Sequence, residues 1–183
     1  MQIDVTTGIL KEARQQSSPN FDLRQDESDI SLVVIHGISL PPGQFGGDYI
    51  DQLFCNQLDP DEHPYFKDIA GLKVSSHILI RRDGEIVQYV PFNKRAWHAG
   101  VSCYEKRDSC NDFSIGIELE GEDTTPYTKA QYRVLSELIK SLIATYPALT
   151  TKSIAGHSDI APGRKTDPGE AFDWDYLYQV LSS

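Results

Sequence analysis

His36 and His157 each stand where a strand-forming run gives way to a loop, and Asp167 follows in the segment Thr166-Asp-Pro-Gly169. Side chains at strand ends meet on one rim of a sheet, where α/β proteins place their ligand sites. Two neutral imidazoles and one carboxylate are the three-ligand pattern of a catalytic Zn²⁺ site, with a fourth position left to water. Such a site keeps a net positive charge and can bring bound water from a pKa of about 15.7 towards about 7. Spacing alone leaves a second reading open, in which these are ordinary, partly buried histidines. His77 and His98 are alternative ligands on paper, and His63, between Glu62 and Pro64, reads as a surface residue.

Other residues with chemical capacity also admit two readings. In Ile115-Gly-Ile-Glu-Leu-Glu120 the apolar residues share one face, so Glu118 and Glu120 occupy the other. That face is either solvent or a cleft. Arg164-Lys165 is either a solvated loop pair or a positioned cation, and Trp97 either a stacking platform or a core aromatic. The odd count of three cysteines, Cys55, Cys103 and Cys110, at irregular spacing predicts reduced, dispensable thiols. A thiol hydrolase using a cysteine with His98 or His77 is the rival enzyme class, though Cys103 and Cys110 only flank the charged run Tyr104–Ser109.

The elements that must position these residues can be read from pattern. Ile30–Ile38 is a β-branched run too continuous to be half exposed, and predicts a central strand ending at His36-Gly37. Ser76–Val90 predicts a hairpin with Asp83-Gly84 as a type I′ turn, and Phe113–Glu120 another strand. Thr128-x-x-Gln131 is a capping box, flanked by Tyr127 and Tyr132 as a hydrophobic staple. An apolar stripe then runs from Val134 to Ile143 until Pro147 stops the helix. A short strand near Lys152–Ala155 and a last helix near Asp173–Leu181 follow. Ser39–Leu72, punctuated by Pro and Gly with one short helix near Asp48–Phe54, predicts a binding loop that orders over a ligand. The expected architecture is α/β: one domain over 1–183 with a central mixed β-sheet flanked by helices. Its core spans about 30–181, and residues 1–29 form a covering segment.

With 17 basic and 27 acidic residues the chain carries a net charge of −10, which disfavours a nucleic-acid partner. No apolar run approaches the roughly 18 residues of a membrane span, and Met1–Asn20 lacks the basic and apolar regions of a secretory signal. A cytoplasmic monomer acting on a small molecule, without membrane or nucleic-acid partners, is the expectation.

Five motifs in one order carry a resemblance: Val34-Ile-His36, His77–Gly84, Arg95-Ala-Trp-His-Ala-Gly100, Asn111–Gly121 and Gly156–Gly169. Together with Ile38–Gly43 and the Asp59–Phe66 segment, they resemble the zinc-dependent N-acetylmuramoyl-L-alanine amidases, whose fold is shared with peptidoglycan recognition proteins. The likeness spans about Ser18 to Trp174 and is greatest to cytosolic members that cleave 1,6-anhydro-muropeptides during cell-wall recycling. It implies Zn²⁺ on His36, His157 and Asp167, Glu118 as general base and Lys165 over the developing oxyanion. It further implies substrate contacts from Trp97, Lys73 and Tyr65, and places His98 and His77 near the cleft rather than on the metal, either behind the ligands or against the substrate. Two positions depart from the family pattern. Lys73 stands where relatives have Arg, losing the bidentate fork, and Gly37 stands where they have Asn. Members of this fold that only bind peptidoglycan fragments lack one or more ligands, so a non-catalytic binding module is the alternative.

Overall fold

The apolar run Leu32–Ile38 forms the second strand of a six-stranded sheet, with Leu32, Val33, Val34 and Ile35 each at most 1% exposed. The computed structural model describes residues 1–182. The sheet contains β1 (Arg14–Gln15), β2 (Leu32–Ile38), β3 (Ile78–Ile80), β4 (Ile86–Gln88), β5 (Ser114–Glu120) and β6 (Ile154–Gly156). Their spatial order is β6-β2-β5-β3-β4-β1. Only β3 and β4, the hairpin, pair antiparallel; the other neighbours are parallel. The α/β fold with a mixed sheet is therefore as expected.

Helices cover both faces. Val33, Ile35, Ile115, Ile117 and Leu119 point to α3 (Lys129–Thr145) and α5 (Trp174–Leu181), whose Leu135, Leu138, Ile139, Leu142 and Leu177 are fully buried. The capping box closes as predicted: Gln131 N–H donates to Thr128 Oγ1 at 3.1 Å, and Thr128 N–H to Gln131 Oε1 at 3.0 Å. On the other face, α1 (Tyr49–Phe54) and α2 (Phe66–Ile69) pack over Leu79 and Val87. A single turn, α4 (His157–Ile160), closes the rim after β6. Strand alternation leaves His36 on the same face as Leu32 and Val34, opposite α3. No helix among the described residues is long and apolar enough to cross a membrane.

Three local expectations need correction. The Asp83-Gly84 turn is not type I′, because only Gly84 has positive φ (95°). Gly84 N–H donates to Arg81 O and Arg81 N–H to Glu85 O, both at 2.9 Å, which is a three-residue loop closed by a left-handed glycine. Two adjacent left-handed residues occur instead at Glu105 and Lys106, between the paired segments Cys103–Tyr104 and Arg107–Asp108. The N-terminal segment also does more than cover a surface: β1 extends the sheet beside β4, and Leu10 is fully buried.

The third correction concerns His77, which is fully buried on the face of the sheet that carries His98, their ring centroids 5.8 Å apart, and so does not reach a substrate. Gly116 N–H donates to its Nδ1 at 3.0 Å, so Nε2 carries the proton and donates to Lys94 O at 3.0 Å. Burial, then the charge of Arg24 with Nη2 3.1 Å away, lowers its pKa to about 3. The unfolded chain, with His near 6.5, therefore binds the proton first as pH falls, and stability drops from about pH 6.5 downwards. Urea unfolding of chelator-treated protein should show His77 costing the fold about 1.4 kcal/mol between pH 7.5 and 5.5. His77→Gln should lose that share of the pH dependence; an unchanged dependence would contradict a neutral buried imidazole.

Candidate metal centre and cleft

Three parallel strands end at one rim, and each delivers a polar group there. β5 pairs with β2 in the register Glu118↔His36, which sets these two side chains on one face. β6 pairs with β2 at Gly156↔Ile35, so His157 follows immediately beyond. The loop after α4 returns Asp167 to the same point, where Ser158 N–H donates to Asp167 O at 2.9 Å. The result is a triangle of donor atoms. His36 Nδ1 lies 2.9 Å from His157 Nδ1 and 3.3 Å from Asp167 Oδ2, and His157 Nδ1 lies 3.0 Å from the same oxygen. Among the described residues this is the one group of His, Cys, Asp or Glu placed to hold a metal ion.

The far side of each imidazole is also held. His157 Nε2 meets Ala99 O at 3.2 Å, and a carbonyl only accepts, so that nitrogen carries the proton. His36 Nε2 meets His98 Nδ1 at 2.9 Å, and His98 Nε2 meets Ser114 Oγ at 3.1 Å. With protons running outward along that chain, both Nδ1 atoms present lone pairs to each other and to a carboxylate. A cation between them satisfies that arrangement, and outer hydrogen bonds of this kind orient metal-binding histidines. Burial lowers the pKa of His36 to about 4, with Asp167 opposing, so the ring is neutral at pH 7. Burial, then the neighbouring His36, also keeps His98 neutral.

The two carboxyls are driven apart. Burial alone would raise Asp167, but the close approach of the His157 and His36 rings outweighs it and holds the group well below the usual carboxylate range. Glu118 Oε1 sits farther off, 4.0 Å from His36 Nδ1. Burial, then the charge of Asp167, raises its pKa well above the ordinary value, with Lys165 pulling the other way. Opposite environments for adjacent carboxyls allow one to bind and the other to carry a proton.

These groups open into a cavity of about 620 Å³. Lys165, Trp97, Tyr65 and His98 line it together with Glu118 and the three donor residues. His98 is 9% exposed and is held against His36, so its contact is with the donor set. Lys73 is exposed and lies between Leu72 and Val74, which line the cavity, but is not part of the lining itself. The segment Ser39–Leu72 supplies an apolar wall that includes Leu40, Leu53, Phe54 and Ile69, while Glu122, Asp123 and Thr124 make part of the polar one. The first set lies in the segment read as a binding loop, whereas Glu122, Asp123 and Thr124 did not stand out in the sequence.

Supporting residues were also missed. Asn111 Oδ1 accepts from His98 N–H at 3.1 Å and Ala99 N–H at 2.8 Å, and Arg164 Nη2 donates to Ala99 O at 2.6 Å. Arg164 is thus tied to the loop behind His157 rather than simply solvated. His98 depends on Gly116, where a Cβ would come within 2.5 Å of its ring.

Residues 26–170 match the family model for N-acetylmuramoyl-L-alanine amidase. The chain is 63% identical over 167 residues to the 1,6-anhydro-N-acetylmuramyl-L-alanine amidase AmpD of Salmonella typhimurium (strain SL1344), covering 91% of this chain and 89% of that one. A crystal structure of an AmpD derivative superposes with a TM-score of 0.95 at 58% identity, over 99% of each chain. AmpDh3 of Pseudomonas aeruginosa in complex with anhydromuramic pentapeptide superposes with a TM-score of 0.61 at 29% identity, over 94% of this chain and 65% of that one.

Gly116→Ala should push the His98 ring away from His36 and weaken divalent-metal binding by about 10–100-fold, the range for loss of an outer hydrogen-bond partner. Competition titration with a chromophoric chelator checks this. Unchanged affinity would show that the His98 contact does not orient the donor set.

Proposed function

The chain belongs to the N-acetylmuramoyl-L-alanine amidase family, and from that premise we propose a zinc-dependent hydrolysis of 1,6-anhydro-muropeptides. The bond cut is the amide between the lactyl group of 1,6-anhydro-N-acetylmuramic acid and the L-alanine of the stem peptide. The observation that carries this reading is the triangle of His36, His157 and Asp167, with Glu118 beside it in a substrate-sized cleft.

Zinc fits the donor set. A tetrahedral ion with bonds of 2.0–2.1 Å has edges of about 3.3 Å, close to the observed separations of 2.9, 3.0 and 3.3 Å. When bound, Zn²⁺ supplies Lewis acidity that polarises a carbonyl and acidifies water at neutral pH. The protein does the rest. Glu118, buried and raised in pKa, takes the proton of the attacking water and passes it to the departing alanine nitrogen. Lys165, on the cleft wall, offers positive charge to the carbonyl oxygen as the tetrahedral species forms. Tyr65 and Trp97 hold the sugar and the first peptide units, and the exposed Lys73 meets a peptide carboxylate as a point charge.

The binding-module alternative needs a missing ligand, and all three are present here. The thiol reading is disfavoured because Cys55, Cys103 and Cys110 all lie outside the cleft lining. We place the reaction in the cytoplasm, where wall-recycling fragments arrive.

Glu118→Ala should retain zinc yet lower turnover by about 10²–10⁴-fold, the usual contribution of a general acid–base group. Mass analysis of products from defined anhydro- and non-anhydro-muropeptides, with and without a strong chelator, measures both activity and sugar preference. Release of intact stem peptide that stops on chelation and resumes with Zn²⁺ is expected. Full activity in the chelator, or an unaltered rate in Glu118→Ala, would refute the mechanism.

A further inference from the structure

Of the three donor residues, Asp167 alone sits on an irregular loop: His36 lies within β2 and His157 opens α4. Its carboxylate must still be held within 3.3 Å of two imidazoles, so the loop needs ties from outside itself. One tie is the bond from Ser158 N–H to Asp167 O. The one nearest the metal-binding carboxylate on its far side comes from Tyr127, whose hydroxyl donates to Pro168 O at 2.9 Å.

Tyr127 reaches that carbonyl because two side chains are absent beneath it. A Cβ at Gly37, the residue after His36, would lie 2.4 Å from the Tyr127 hydroxyl oxygen and 3.7 Å from the ring carbon bearing it. A Cβ at Gly121, just past β5, would lie 2.4 Å from the ring. The phenol therefore lies on bare backbone at the ends of β2 and β5, which are joined there by the bond from Gly121 N–H to Ile38 O at 2.8 Å. Its position is fixed from above by the edge of Phe172, 5.5 Å between ring centroids, and by the capped start of α3 at Thr128. One side chain thus ties the strand end that presents His36 to the loop that presents Asp167.

We propose that Tyr127 is a positioning residue for the metal-binding carboxylate, its hydroxyl holding the Asp167-Pro168 loop in a seat that Gly37 and Gly121 leave open. This rests on the zinc reading above, and it gives Gly37 a role: the space left by its missing side chain is used by the tyrosine hydroxyl.

Tyr127→Phe keeps the ring and deletes the tie. Gly37→Ala should displace the same hydroxyl, yet cost nothing further once the hydroxyl is gone. Zinc affinity by chelator competition, the visible spectrum of the Co²⁺-loaded protein and the Tm of metal-free protein are measured for both variants and the double variant. Each single variant should lose about 10–100-fold in zinc affinity and alter the Co²⁺ spectrum, with the metal-free Tm little changed. Gly37→Ala/Tyr127→Phe should bind zinc as Tyr127→Phe does, the non-additivity of residues sharing one contact. Wild-type affinity and spectrum in Tyr127→Phe, simple addition of the two effects, or a weakening matched by lost metal-free stability would each overturn the proposal. A wild-type protein that binds no zinc would overturn the metal reading itself and this inference with it.

Discussion

The structure turns on holding three electron-rich atoms, the Nδ1 atoms of His36 and His157 and one oxygen of Asp167, within 3.3 Å of one another. Left alone, two facing lone pairs and a carboxylate repel. The fold resists that repulsion by fixing each group from behind: Ala99 O behind His157, His98 and Ser114 behind His36, and the backbone of Ser158 behind Asp167. Burial supplies the other half of the constraint by keeping the His36 ring uncharged at neutral pH. A rigid, desolvated trio of this kind is preorganised for a cation, because little reorganisation remains when one binds.

The same low-dielectric pocket sorts its acids. Asp167 is drawn into the donor set by two imidazoles and stays ionised, whereas Glu118, one strand over, has no side-chain hydrogen-bonding partner among the described residues and holds its proton more tightly. A difference in partners converts two chemically similar carboxyls into a ligand and a proton carrier. The sheet makes this possible. Parallel pairing puts His36 and Glu118 side by side, while their neighbours Ile35, Ile117 and Leu119 face the opposite way into the core against α3.

Much of this was legible from residue types. The continuous apolar run before His36, the capping box at Thr128 and the alternation around Glu118 each state a local preference that tertiary structure leaves alone. Other features were hidden for physical reasons. His77 precedes Ile78-Leu79-Ile80, a run apolar on both faces, so pattern cannot say which way it points, and it turned into the core. Asp83-Gly84 matches the usual hairpin pair, but hydrogen bonding chose the three-residue loop. The edge strand Arg14–Gln15 consists of exposed polar residues and carries no hydrophobic signal. Backbone acceptors such as Ala99 O, and the polar cleft wall at Glu122–Thr124, depend on contacts between distant segments that no local window contains.

The most direct test of the central claim is the X-ray absorption spectrum of the zinc-loaded protein at the zinc edge. The account predicts a first shell of nitrogen and oxygen at about 2.0–2.2 Å, including two imidazoles, with no sulfur. A sulfur shell near 2.3 Å, or a first shell with no imidazole in it, would contradict it.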